Sequence, residues 1–216
     1  MLEKMGEFFD NRLVGYEEHQ LTCIESAQEF YPFTAQCLPK EAGSRILDLG
    51  CGTGLELEFY FQQNPQAKVT GIDLAPGMLD ALKKKFPEKE LTLILGSYFE
   101  VPFEKEVFDA AVSVESLHHF TKEEKVPLYA KLWAAIKENG YFILTDYFAK
   151  SVGEEQFFRQ ELIRLKKEQG IKDGEFYHYD TPLTVQHEME ALKEAGFADV
   201  QVLKKWGATY ILKALK

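Results

Sequence analysis

Residues 45–60 read RILDLGCGTGLELEFY. A short β-rich run ends in three glycines at alternate positions, Gly50, Gly52 and Gly54, and an amphipathic run follows at once. A strand that turns directly into a helix belongs to a mainly parallel sheet covered by helices. Glycine permits positive φ and carries no Cβ, so this bend can be tight and can lie close under a ligand. The following helix N-terminus then presents free N–H groups to a polar or anionic group.

The same rhythm continues downstream. KVTGIDL, LTLILGS, FDAAVSVES and YFILTDYF read as further strands. GLELEFYFQQNP, APGMLDALKKKFP and KEEKVPLYAKLWAAIKENG read as the helices between them, the last with Gly140 placed as its C-cap. The expected class is therefore α/β, a Rossmann-like, mainly parallel sheet with helices on both faces. Residues 1–40 read as N-terminal helices, 41–150 as the ligand-binding core, and 151–180 as a cap insert placed after a strand end. Residues 181–216 read as a helix and an antiparallel hairpin at the sheet edge. All belong to one expected domain, 1–216.

Composition narrows the function. The 216 residues carry a formal net charge of −10, which disfavours general nucleic-acid binding, since that draws on a basic surface. The basic runs ALKKKF and IRLKKEQ read as solvated helix faces. No apolar run approaches the ~18 residues of a membrane span, and MLEKMGEFFDNR has no apolar leader core. A cytoplasmic protein with free thiols at Cys23, Cys37 and Cys51 is expected. No Cys or His spacing matches a zinc site, so no metal is expected.

Spacing then identifies the ligand class. A dinucleotide fingerprint is G-x-G-x-x-G; here position 55 is Leu55 and the third glycine is Gly54. No Gly-Lys-Ser/Thr follows, so the turn is not a P-loop. LDLGCGTG resembles the first motif of class I S-adenosylmethionine-dependent methyltransferases. The likeness runs well from residue 45 to about 146 and more loosely through the flanks. It implies that Asp48, Gly50, Cys51, Gly52 and Gly54 form the cofactor turn. It also implies that Asp73, ending TGIDL, accepts the ribose hydroxyls; Asp73 equally suits the N-cap of the next helix. Leu74 and Met78 are then expected to flank the adenine. Relatives often carry Gly-Asp where this chain has GSYFEVPF, so Ser97 replaces the acidic adenine contact and Tyr98 is a candidate to stack on the base. Val114 is expected beside the reactive methyl group. FFDNRLVGYEEH resembles the N-terminal helix of relatives, with Tyr16 closing over the cofactor.

The expected cofactor is S-adenosyl-L-methionine and the expected reaction an in-line methyl transfer. Such a reaction needs a base only where the acceptor must lose a proton. His118 and His119, following the fourth strand, are the candidates, because imidazole titrates near neutrality. Glu115, His178, Tyr179 and Asp180 are candidate acceptor contacts. The expected partner is a small-molecule methyl acceptor, on a monomer or homodimer. Alternatives are a modified tRNA base as acceptor, a non-catalytic binder of the cofactor, and a nicotinamide dehydrogenase.

Overall fold

The computed structural model describes residues 1–172 and 174–216. Three helices come first, α1 (Met5–Asn11), α2 (Tyr16–Cys23) and α3 (Ala27–Gln36). The core follows as β1 (Arg45–Leu49), α4 (Leu55–Gln63), β2 (Lys68–Asp73), α5 (Pro76–Lys85), β3 (Glu90–Leu95), β4 (Phe108–Val114), α6 (Lys122–Ala135) and β5 (Ile136–Tyr147). The chain closes with α7 (Val152–Gln169), α8 (Val185–Glu194), β6 (Asp199–Trp206) and β7 (Thr209–Leu215).

Among the described residues these strands form one seven-stranded sheet in the order β3-β2-β1-β4-β5-β7-β6. The pairs from β3 to β5 are parallel; β7 runs antiparallel to both β5 and β6. The antiparallel edge therefore lies where the sequence places it. The chain reverses its direction of build between β1 and β4. Brändén-type sheets bind ligands at that point, outside the strand carboxyl ends.

The central strands are apolar on both faces, as a covered parallel sheet requires. Leu47, Leu49 and Ile72 sit in one core with Leu132, Phe142 and Leu144. Ile46, Val69, Ala110 and Val112 face the other core with Leu57, Tyr60 and Leu82. Each fully buried Leu or Ile contributes about 1.5–3 kcal/mol of transfer free energy. Lys125 and Glu188 form a buried ion pair at 2.6 Å that ties α6 to α8.

One boundary differs from expectation. Gly140 does not cap α6, which ends at Ala135. It lies inside β5, where a Cβ would meet the Asp109 carbonyl at 2.8 Å. The tight bend falls one residue earlier, at Asn139 with φ 63°, a conformation that Asn tolerates better than most residues. The cue was read at the glycine because close strand approach and a left-handed cap select the same residue.

Candidate active site

The ends of β1, β2 and β4 frame a cleft at the switch point. It is lined by Gly50, Gly52, Asp73, Leu74, Met78, Tyr98, Val114, Glu115, Ser116 and His119, with Met5, Phe9 and Tyr16 above. The three glycines of the turn all have positive φ, but they serve different ends. A Cβ on Gly50 would strike the Ser116 hydroxyl. One on Gly54 would strike Leu82 in the core beneath α4. At Gly52 the nearest atom is the Tyr16 hydroxyl, 4.0 Å away. Of the three, Gly52 alone is bare toward open space.

Asp73 braces this turn. Its Oδ2 accepts from the Gly52 N–H at 2.8 Å, and its Oδ1 accepts from Ala75 N–H at 2.9 Å, ahead of α5. Both sequence readings of Asp73 are thus compatible: it orders the helix entry and still lines the cleft with spare lone pairs. Burial pushes its pKa up, and the backbone donors pull it back.

The lid comes from the N-terminal helices. Asp10 of α1 accepts from the Gly77 N–H of α5 at 2.9 Å, and Gly6 packs so closely on Leu74 that a Cβ would lie 3.0 Å from its carbonyl oxygen. These contacts hold Met5, Phe9 and Tyr16 over the cleft. The expected cap at 151–180, which includes a position outside the described residues, contributes no cleft-lining residue. Its helix α7 buries no side chain. The segment after it acts from behind. Phe176 packs on Phe99 and Phe120, and its carbonyl accepts from Met5 N–H at 3.0 Å.

The opposite wall is a cluster of titratable groups. Asp146, at the end of β5, accepts from the Leu117 and His118 N–H groups at 2.9 and 3.0 Å. Its other oxygen lies 2.5 Å from His118 Nδ1. Burial alone would lower the His118 pKa, but the Asp146 carboxylate outweighs it and, with Asp180, pushes it up to about 9. His119 goes the other way, down to about 4, through burial and the charge of His118. Its Nδ1 lies 3.0 Å from Asp180 Oδ1. Glu115 holds a left-handed φ of 49°, a strained geometry for a residue with a side chain. Its Oε1 is buried with no hydrogen-bond partner among the described residues. Burial, then the Asp146 charge, pushes its pKa up to about 8.

The structure brings Tyr16, Gly50, Gly52, Asp73, Leu74, Met78, Tyr98, Val114 and His119 to the cleft. It places four candidates elsewhere. Asp48 is buried beside Glu56, Cys51 packs on Gly71, and Gly54 packs on Leu82. The Ser97 hydroxyl accepts from Phe99 N–H at 3.2 Å instead of facing the cleft. The left-handed backbone of the glycine turn sets Cys51 and Gly54 against the core while Gly52 faces the cleft. His118, His178, Tyr179 and Asp180 back the wall without lining it. Sequence reasoning missed Met5, Phe9, Asp146 and Lys131. The Lys131 ammonium donates to the carbonyls of Tyr98, Phe99 and Val101 and so holds the Tyr98 loop. None of these has a local signal, because each acts across the fold.

A bare Gly52 beside a half-buried carboxylate, with apolar Leu74 and Met78 adjacent, fits a nucleoside. Comparison with known proteins agrees. Residues 46–140 match a family model described as a methyltransferase domain. The biotin biosynthesis bifunctional protein BioHC of Teredinibacter turnerae is 29% identical over 81% of this chain and 31% of its own length. The carboxy-S-adenosyl-L-methionine synthase of Wolinella succinogenes is 28% identical over 98% of this chain and 91% of its own. Human N-acetylserotonin methyltransferase, solved in complex with SAM, shares the fold, with a TM-score of 0.64 at 17% identity, over 88% of this chain and 52% of that one. The chain spans about a third of the length of the first two curated relatives it matches, 31% and 36%. With its glycine turn, the Asp73 brace and this sheet order, the chain carries over residues 46–140 a methyltransferase domain of the class I, S-adenosylmethionine-dependent fold.

Proposed function

We propose that the protein transfers a methyl group from S-adenosylmethionine to a small-molecule acceptor. One observation carries the reading: a single cleft has two chemically different ends. At one end lie Gly52, Asp73, Leu74 and Met78, which suit a nucleoside; at the other lie Glu115 and His119, which suit an acceptor that must lose a proton. When bound, the cofactor supplies an electrophilic methyl group on a sulfonium.

The chain's own residues do the rest. Gly52 leaves space, Asp73 accepts ribose hydroxyls, and Tyr98 and Met78 wall the base. Tyr16, Phe9 and Met5 exclude water from above. The acceptor's proton passes to the Glu115–His119 wall, with His118 and Asp146 holding that wall in place. Holding two reactants in line can contribute ~7–11 kcal/mol toward the barrier. A lid of three apolar or aromatic side chains and a net charge of −10 favour a small acceptor over a polyanionic one.

The test is calorimetry with S-adenosylhomocysteine, followed by release of that product during turnover of a panel of hydroxyl, thiol and amine acceptors. Gly52→Val should abolish measurable binding. Unchanged affinity in this variant, or tighter binding of NAD, refutes the placement. Binding with no turnover across cell extracts would instead indicate a non-catalytic binder.

A further inference from the structure

Behind the cleft, three ligating atoms from two separate loops converge. Asp180 Oδ1 lies 3.0 Å from His119 Nδ1 and 3.7 Å from His118 Nε2. All three lie within 4.8 Å of one another. They do not satisfy each other. Asp180 Oδ1 is buried with no hydrogen-bond partner among the described residues. His119 Nδ1 makes its hydrogen bond to the Tyr179 carbonyl, at 3.4 Å. The three atoms converge on a common point, and His119 Nδ1 can offer a lone pair there once its proton sits on Nε2 and the long contact to the Tyr179 carbonyl is given up.

The separations suit a metal ion. Two imidazole nitrogens and a carboxylate oxygen, each about 2.0–2.2 Å from one ion, sit about 3.0–3.5 Å apart in octahedral or tetrahedral geometry. Against Asp180 Oδ1, His118 Nε2 needs to close by only a few tenths of an ångström to reach this range, and it lies within 4.8 Å of His119 Nδ1. The support around His118 is of the kind that orients a ligating histidine. Its Nδ1 is held by Asp146 Oδ1 at 2.5 Å, and Asp146 is fixed in turn by the Leu117 and His118 N–H groups. Charge agrees. Asp146, Asp180 and Glu115 set three carboxyl groups around two imidazoles, and Glu115 Oε1 is also buried and unpartnered among the described residues. With His118 deprotonated to act as a ligand, the Asp146 and Asp180 carboxylates favour a cation at this point.

We propose that His118 Nε2, His119 Nδ1 and Asp180 Oδ1 bind a divalent transition-metal cation, zinc by preference, with an open position toward the cleft. Two imidazoles select such a cation over magnesium or calcium, which favour all-oxygen ligands. The role of the ion rests on the methyl-transfer reading. Its open position takes the hydroxyl oxygen or thiol sulfur of the acceptor and lowers that group's pKa. With His119 coordinated, Glu115 is the group left to receive the proton. No sequence spacing announces this site, because Asp180 reaches the two histidines only through the fold.

The test uses the full chain, stripped with chelator and titrated with Co²⁺ as a visible probe, then with Zn²⁺ in competition. One equivalent of Co²⁺ should bind with visible ligand-field bands and be displaced by Zn²⁺. Asp180→Asn and His118→Gln should each weaken Zn²⁺ binding by at least about 100-fold, and Asp146→Asn by about 10–100-fold. Circular dichroism and S-adenosylhomocysteine affinity should stay within about twofold for Asp180→Asn, which keeps side-chain size and so guards against a folding artefact. Sub-stoichiometric binding, or undiminished binding in the Asp180→Asn and His118→Gln variants, overturns the proposal. Metal binding is read without turnover, so a protein that binds Co²⁺ yet transfers no methyl group refutes the methyl-transfer reading and leaves the site standing.

Discussion

The two ends of the cleft solve the problem of burying polar groups in opposite ways. At the nucleoside end the carboxylate that faces the cleft is already satisfied, while Asp48 Oδ2, Thr53 Oγ1 and Glu56 Oε1 lie unpartnered beneath the turn among the described residues. Asp73 takes two backbone N–H groups, and the turn above it is held open by glycine. At the acceptor end two carboxyl groups are not so satisfied. Glu115 and Asp180 each carry a buried oxygen without a partner among the described residues, and Glu115 sits in a strained backbone conformation. Unsatisfied buried polar groups cost about 1–3 kcal/mol each. A fold retains such costs where a bound group relieves them. The difference lies in what faces the cleft wall: a braced carboxylate at one end, and buried carboxylate oxygens without partners at the other.

That contrast can be broken by mutation. The largest effect is expected at the acceptor end. His119→Ala should lower turnover by about 10²–10⁴-fold, the range for loss of proton handling at the acceptor whether His119 takes the proton or holds the proposed cation, while S-adenosylhomocysteine affinity by calorimetry changes little. Equal losses in both would merge the two ends into one. Gly54→Ala comes next and tests whether the turn itself divides. Left-handed strain of about 1–2 kcal/mol and overpacking against Leu82 of about 1–3 kcal/mol should appear in denaturant unfolding. The folded fraction should bind cofactor normally, because Gly54 faces the core.

Asp73→Ala should raise the cofactor Kd by about 10–100-fold, or about 1–3 kcal/mol. Part of that loss comes from freeing the Gly52 N–H, so Asp73→Asn, which can still accept one bond, should lose less. Equal losses in the two variants would assign the whole effect to charge.

The smallest effect concerns Asp48 and Glu56, buried together beneath the turn. Burial raises both carboxyl pKa values, and the Glu56 charge raises that of Asp48 further. A carboxyl with a higher pKa folded than unfolded binds more protons in the native state. Its contribution to stability is therefore greatest below its ordinary pKa, near 4, and is lost as pH rises through the folded value. Asp48→Asn should flatten the fall in stability as pH rises above about 4, measured by urea midpoints across a pH series. An unchanged slope would show that Asp48 is not protonated in the fold.

Much of this molecule was legible because the signals were local. Strand and helix order, the C-terminal hairpin and the glycine turn follow from periodicity and backbone freedom over a few residues. So did Asp73, which stands at a strand end, and Tyr98 and Val114, which follow or end strands at the same level of the sheet. Asp48, Cys51, Gly54 and Ser97 were placed in the site through their neighbours. In the fold Asp48 is buried on β1, the left-handed turn sets Cys51 and Gly54 against the core, and the Ser97 hydroxyl is taken by its own loop. The lid was read partly in the wrong place: Tyr16 belongs to it, but the 151–180 insert only buttresses it.

By itself the sequence determined a mainly parallel α/β sheet whose first strand ends in a glycine bend. Strand pattern and glycine φ are properties of short stretches, so no distant contact is needed to read them. Only the tertiary structure decided which glycine faces the cleft, that α1 and α2 form the roof, and that Asp146 and Asp180 meet His118 and His119. Those facts depend on which loops the sheet order brings together at the carboxyl ends of its strands. Separation along the chain carries no record of that meeting.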